Sequence, residues 1–150
     1  MSDSVPEGFF VTGGDVDRVS VSLRVAGDDL NPASVTQLLR VEPTFAARKG
    51  EQRASGGGLV RQPTGVWSIE ISESREWILE DAIAALLDRL PADPAVWKLL
   101  AERYQIDVFC GIFVDGWNRG FDLSPALLGR LAERFLKLDV DIYCNGDRPV

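Results

Sequence analysis

Apolar residues recur at every second position along four stretches of the chain. Val19, Val21, Leu23 and Val25 alternate with Ser20, Ser22 and Arg24. Trp67, Ile69 and Ile71 alternate with Ser68 and Glu70. Ile106, Val108, Cys110, Ile112 and Val114 alternate with Asp107, Phe109, Gly111 and Phe113. Leu138, Val140, Ile142 and Cys144 alternate with Asp139, Asp141 and Tyr143. A period of two turns one set of side chains inward and leaves the other wet, so each stretch predicts a strand with one buried face.

Between these stretches the period lengthens to that of a helix. Val35, Leu38 and Leu39 follow Asn31-Pro32, and Val96, Trp97, Leu99 and Leu100 follow Asp93-Pro94 on a helix running to about Tyr104. Leu127, Leu128, Leu131 and Phe135 follow Ser124-Pro125. Asn, Asp and Ser are capping residues, and proline is tolerated at the first helical position. Leu79, Ile83, Leu86, Leu87 and Leu90 form another stripe, with Ser74 as its expected cap and Pro91 as its stop. Asp29-Leu30-Asn31-Pro32-Ala33 resembles Asp122-Leu123-Ser124-Pro125-Ala126. The chain is therefore either two related strand–helix–strand halves or uses one local recipe to start helices, as Asp93-Pro94-Ala95 suggests.

Residues 42–65 break the pattern. They read as a long irregular loop with a helical turn from Phe45 to Arg48 and a flexible tip at Gly56-Gly57-Gly58. A loop of that length in a small domain is usually functional or disordered.

About four strands and about four helices predict an α+β fold. Alternating rather than continuously apolar strands favour a sheet with one wet face. The expected plan is a two-layer sandwich with a mixed or mostly antiparallel sheet of about four strands and helices on one face, a ferredoxin-like variant with extra helical material. Strand order is not readable from the pattern. Residues 18–146 form the expected single globular domain. Residues 1–17 are an N-terminal tail or flap, where Phe9, Phe10 and Val11 are able to dock, and residues 147–150 are a C-terminal tail.

Composition narrows the function classes. A length of 150 residues suits one domain with a real core. A net charge of −7 repels phosphate backbones and disfavours nucleic-acid binding, while leaving a protein partner open. No basic leader precedes an apolar run, and no apolar run approaches the roughly 18 residues that span a bilayer. A cytoplasmic protein without membrane contact is expected. Cys110 and Cys144 lie in strands and outside any C-x-x-C spacing, so both read as reduced core residues.

The chain has no histidine, which removes His-based triads, His-ligated zinc and the commonest general base. No phosphate-binding glycine loop is present. Neither a cofactor nor a catalytic residue is predicted. Three sets of residues remain. Asp107, Asp139 and Asp141 share strand parity and would hold a metal ion if their strands are neighbours. Arg48, Lys49, Arg53 and Arg61 make a basic cluster suited to a carboxylate, a phosphate or an acidic partner. Trp117, beside Phe121 in a turn, is a plausible contact anchor. Gly111 inside a strand implies a bulge or a close approach by another backbone.

Ser22-Leu23-Arg24, Gly27 through Pro32, Glu42-Pro43-Thr44, Arg48-Lys49-Gly50-Glu51, Gly65-Val66-Trp67-Ser68, Gly120 through Pro125 and Asp141-Ile142-Tyr143 together resemble the bacterial domain-of-unknown-function 4279 family. The resemblance implies a small bacterial cytoplasmic domain, with no catalytic residues to carry over and an association with immunity-type proteins. The leading expectation is a non-catalytic protein-binding module that uses the acidic face or the basic segment. One alternative is a small-anion site formed by Arg48, Lys49, Trp67 and Trp117. The other is a metal-assisted hydrolase built on Asp107, Asp139 and Asp141.

Overall fold

The computed structural model describes residues 14–71 and 78–144. Phe9 to Val11, Ser74 and the 147–150 tail lie outside the described residues.

The strand Arg18–Gly27 (β1) is the hub of the sheet. Val19, Val21, Leu23 and Val25 are all buried, as the alternation requires. On one side β1 pairs antiparallel with Gly65–Ile71 (β5), and on the other with Gln105–Val114 (β6). Phe45–Ala47 (β2) lies antiparallel beside β5, and Lys137–Cys144 (β7) lies parallel beside β6. The result is a five-stranded mixed sheet of order β2-β5-β1-β6-β7. The fold is α+β, with one more strand in the main sheet than the expected four and a separate two-stranded ribbon besides.

Both additions come from the 42–65 segment. Phe45 to Ala47 is an edge strand rather than a helical turn. Gln52–Ser55 (β3) and Gly58–Arg61 (β4) form the ribbon, turning through Gly56 and Gly57 at positive φ. The alternation signal missed it because every residue of the ribbon is exposed, so nothing forces a buried face.

Four helices among the described residues cover the buried face. Pro32–Leu39 (α1) packs on β5, Leu79–Asp88 (α2) on β1 and β5, Pro94–Arg103 (α3) on β6, and Pro125–Glu133 (α4) on β7. Strand residues such as Leu23, Trp67, Ile69 and Val108 join Leu39, Ile83, Leu86 and Trp97 in one core. Asn31, Asp93 and Ser124 cap α1, α3 and α4 through their side chains, each followed by proline. Three uses of one recipe favour local helix-start chemistry over duplicated halves. The pairings agree: β6 and β7 are neighbours, whereas β5 separates β1 from β2.

Two apolar stripes are shorter than the pattern predicts. In α4, Leu127 and Leu131 are buried, but Leu128 and Phe135 are exposed. Phe135 sits at φ 56, where the chain reverses, and Leu136 donates to the Leu131 carbonyl at 3.0 Å. In such a reversal the next apolar residue returns to the core, and Leu136 takes that buried place. In β7, Leu138 and Val140 pack on the core, while Ile142 and Cys144 are exposed. A nine-residue helix is about 13 Å long, and eight strand residues span about 26 Å. The helix cannot cover the whole strand.

Cys110 is buried and Cys144 is not, which corrects the expectation that both are core residues. Cys110 lies opposite Val140 and Cys144 opposite Val114, four register steps apart, so the two free thiols do not meet. Burial pushes the Cys110 thiol up to about 12. The folded state thus favours the neutral thiol. That stability is complete below the unfolded value near 9.0 and is lost as the pH climbs towards 12. A thiol-reactive dye at pH 8 should label Cys144 quickly and Cys110 only after denaturant is added.

Among the described residues, no helix is long and apolar enough to cross a membrane.

Candidate functional site

Among the described residues, no helix covers the other face of the sheet, and strand register arranges its side chains in rows. Phe45, Ser68, Arg24, Asp107 and Lys137 stand in one row across all five strands. Glu70, Ser22, Phe109 and Asp139 form the next, followed by Ser20, Gly111 and Asp141, and then Arg18, Phe113 and Tyr143.

Arg24 organises the first rows. Its Nε donates to Asp107 Oδ1 at 2.8 Å, and its Nη2 donates to Asp107 Oδ2 at 2.6 Å and to Asp139 Oδ2 at 3.2 Å. The two-pronged contact suits a planar guanidinium. The Asp107 hydrogen bond raises the Arg24 pKa above its ordinary value, against the opposing effect of burial. The same guanidinium lies 4.3 Å from the centre of the Phe109 ring.

Two further arginines repeat the stacking. Arg18 lies 4.0 Å over Phe113, whose ring stacks on Tyr143 with centres 5.0 Å apart and planes 16° from parallel. Arg53, on the ribbon, lies 5.0 Å over Phe45 at the other edge of the sheet. Cation–ring contacts fix the long arginine stems and keep flat apolar surface in place.

Gly111 sits between the Phe109 and Phe113 rows. The β6 register runs through it without interruption on both sides, so there is no bulge. The close approach comes instead from a side chain: a Cβ at Gly111 would lie 2.7 Å from Ser20 Oγ. The glycine leaves a notch between the two aromatic rows. Beyond the Arg24 row, a cleft of about 520 Å³ continues past Ala26, Val66, Gln105 and Lys137.

The sequence-predicted candidates separate in space. Asp107, Asp139 and Asp141 do share this face, but the Arg24 guanidinium lies against the first two. Asp141 stands one row further on, with the Tyr143 hydroxyl at 3.5 Å. Among the described residues, no group of three acidic or cysteine side chains is placed to hold a metal. Trp67 is fully buried, and its Nε1 donates to Thr36 Oγ1 at 3.0 Å. It belongs to the core and offers no surface to a ligand. The indole fills the buried face of β5 because it shares parity with Ile69 and Ile71.

Lys49 pairs with Asp28 at 2.9 Å, and Thr64 Oγ1 donates to the same carboxylate at 3.0 Å. Both contacts lower the Asp28 pKa, that of Lys49 first. Arg48, Arg53 and Arg61 are exposed around the ribbon. Trp117 is 66% exposed at the opposite end of the sheet. There Arg119 braces the turn by donating to the carbonyls of Asn118 at 2.8 Å and Asp115 at 3.2 Å. Asp28 and Asp17 flank the two ends of the ten-residue β1, which spans about 33 Å. Trp117 and Lys49 therefore do not form one site. Sequence reasoning missed Arg18, Phe113 and Tyr143 as a unit because they lie on three strands whose order was unknown.

A small α+β domain with an arginine- and aromatic-rich sheet face is the class these observations define. The domain of unknown function DUF4279 matches residues 17–145, and the chain belongs to that family. No curated protein and no solved structure matches the chain.

Proposed function

We propose that the chain is a non-catalytic protein-binding module whose contact surface is the arginine- and aromatic-rich face of the sheet. The observation that carries this reading is the arrangement of Phe45, Phe109 and Phe113, each under an arginine, with Tyr143 stacked on Phe113. Aromatic residues and arginine are the side chains that dominate protein interfaces, and ordered ones lose little entropy on binding. A metal-assisted hydrolase on Asp107, Asp139 and Asp141 has less support, because Arg24 already pairs with two of the three. The order β2-β5-β1-β6, with helices after β1 and before β6, supports a two-layer ferredoxin-like plan extended by α4 and β7. The free thiols suit a cytoplasmic setting.

Cross-linking capture from the native host tests this reading. The wild type is expected to retain a partner that the Phe113→Ala, Tyr143→Ala double variant loses by at least about 30-fold in affinity. Leu128→Ala, exposed on α4 away from this face, should leave capture unchanged. Equal capture by wild type and double variant would reject the sheet face as the contact surface.

A further inference from the structure

We propose that the cleft where the ends of α1 and α2 meet the start of α3 binds a small aliphatic carboxylate, gripped by Arg40 and Arg89. The cleft holds about 520 Å³, within the range of small-molecule sites. It lies in the helical layer, on elements that cover the other side of the sheet, and is independent of the partner surface proposed above.

Arg40 ends α1 and Arg89 ends α2, and both line the cleft. An arginine at a helix C-terminus ordinarily bonds the last carbonyls or a nearby carboxylate. Neither guanidinium here has a hydrogen bond or ion pair among the described residues. Their backbone N–H groups, by contrast, are satisfied by Thr36 and Leu86. Arg40 also holds φ 55, a left-handed position that glycine occupies more cheaply. Two arginines without a partner among the described residues thus line one recess, and one of them keeps an unfavourable backbone position.

The rest of the lining defines the ligand. Leu38, Leu90, Pro91 and Val96 give an apolar wall. Asp93 also lines the recess, and its Oδ1 accepts from Ala95 N at 2.9 Å, so it serves its own helix. Two arginines against one aspartate leave room for a single negative charge. The carbonyl ends of α1 and α2 disfavour a second, which argues against phosphate dianions. One carboxylate on a short aliphatic body satisfies the guanidiniums and covers the wall.

Titration of the full chain with hexanoate, followed by amide NMR, decides the matter. Hexanoate should shift resonances in residues 38–40 and 89–96 with a Kd of about 1 mM. Arg40→Gly, which relieves the left-handed residue and so preserves the fold, and Arg89→Gln should each weaken binding about tenfold. Hexanol should bind at least as poorly as the variants. Absence of shifts up to about twenty times the expected Kd, or unchanged binding by both variants, would overturn the proposal. So would sulfate shifting the same residues as strongly as hexanoate.

Discussion

Trp67→Ala is expected to lower the unfolding free energy by about 3–5 kcal/mol, the loss typical of a large aromatic cut from a core. The indole is fully buried among residues of β1, β5 and the helices, and the neighbours cannot collapse into so large a space without moving the sheet. Its Nε1 bond to Thr36 Oγ1 is lost as well, leaving the half-buried hydroxyl without that donor. Trp67→Phe should cost less, because it retains most of the apolar volume. Urea denaturation followed by circular dichroism measures both. A loss below about 1 kcal/mol for the alanine variant would place the side chain on the surface and restore it as a ligand contact.

Gly65→Ala is expected to cost about 3 kcal/mol, although it adds only a methyl group. The new Cβ would lie 2.6 Å from the Gly27 carbonyl oxygen and 2.9 Å from Leu30 Cβ. The first of these is backbone in the paired strand, at the register point Gly27–Gly65, and it cannot rotate away. Gly111→Ala is the informative contrast. Its nearest obstacle at 2.7 Å is Ser20 Oγ, the end of a side chain that can turn, so a cost under about 1 kcal/mol is expected. Thermal melts of the two alanine variants should differ by several degrees for a domain of this size. Equal melting temperatures would mean that β1 and β5 can separate at Gly27 without penalty.

The legible parts of the fold are those where burial imposes a period. β1, β5 and β6 emerge at the expected places because one parity of each is packed under helices. The helix starts emerge because Asn31, Asp93 and Ser124 satisfy exposed backbone donors locally. β2, β3 and β4 escape because two of them bury nothing and the third is only three residues long. The second half of β7 misleads for the opposite reason. It carries an apolar alternation that stays exposed beyond the end of α4 among the described residues. The site follows the same logic. The acidic residues of the open face are visible as a shared parity, but Arg24 as their counter-ion and Phe109 as its platform depend on which strand lies beside which.

Alternation and capping are short-range properties, carried by residues a few positions apart. From them follow the α+β class and the inward set Val21, Leu23, Val108 and Cys110, and composition adds the absence of histidine chemistry. Strand order is a long-range property, set by how helices and loops return the chain to the sheet. Only the assembled sheet brings Arg24 to Asp107, 83 residues away, and to Asp139, 115 residues away. Only the packed helices bring Arg40 and Arg89 to one cleft. Both meetings depend on contacts distant in sequence, and no local pattern records them.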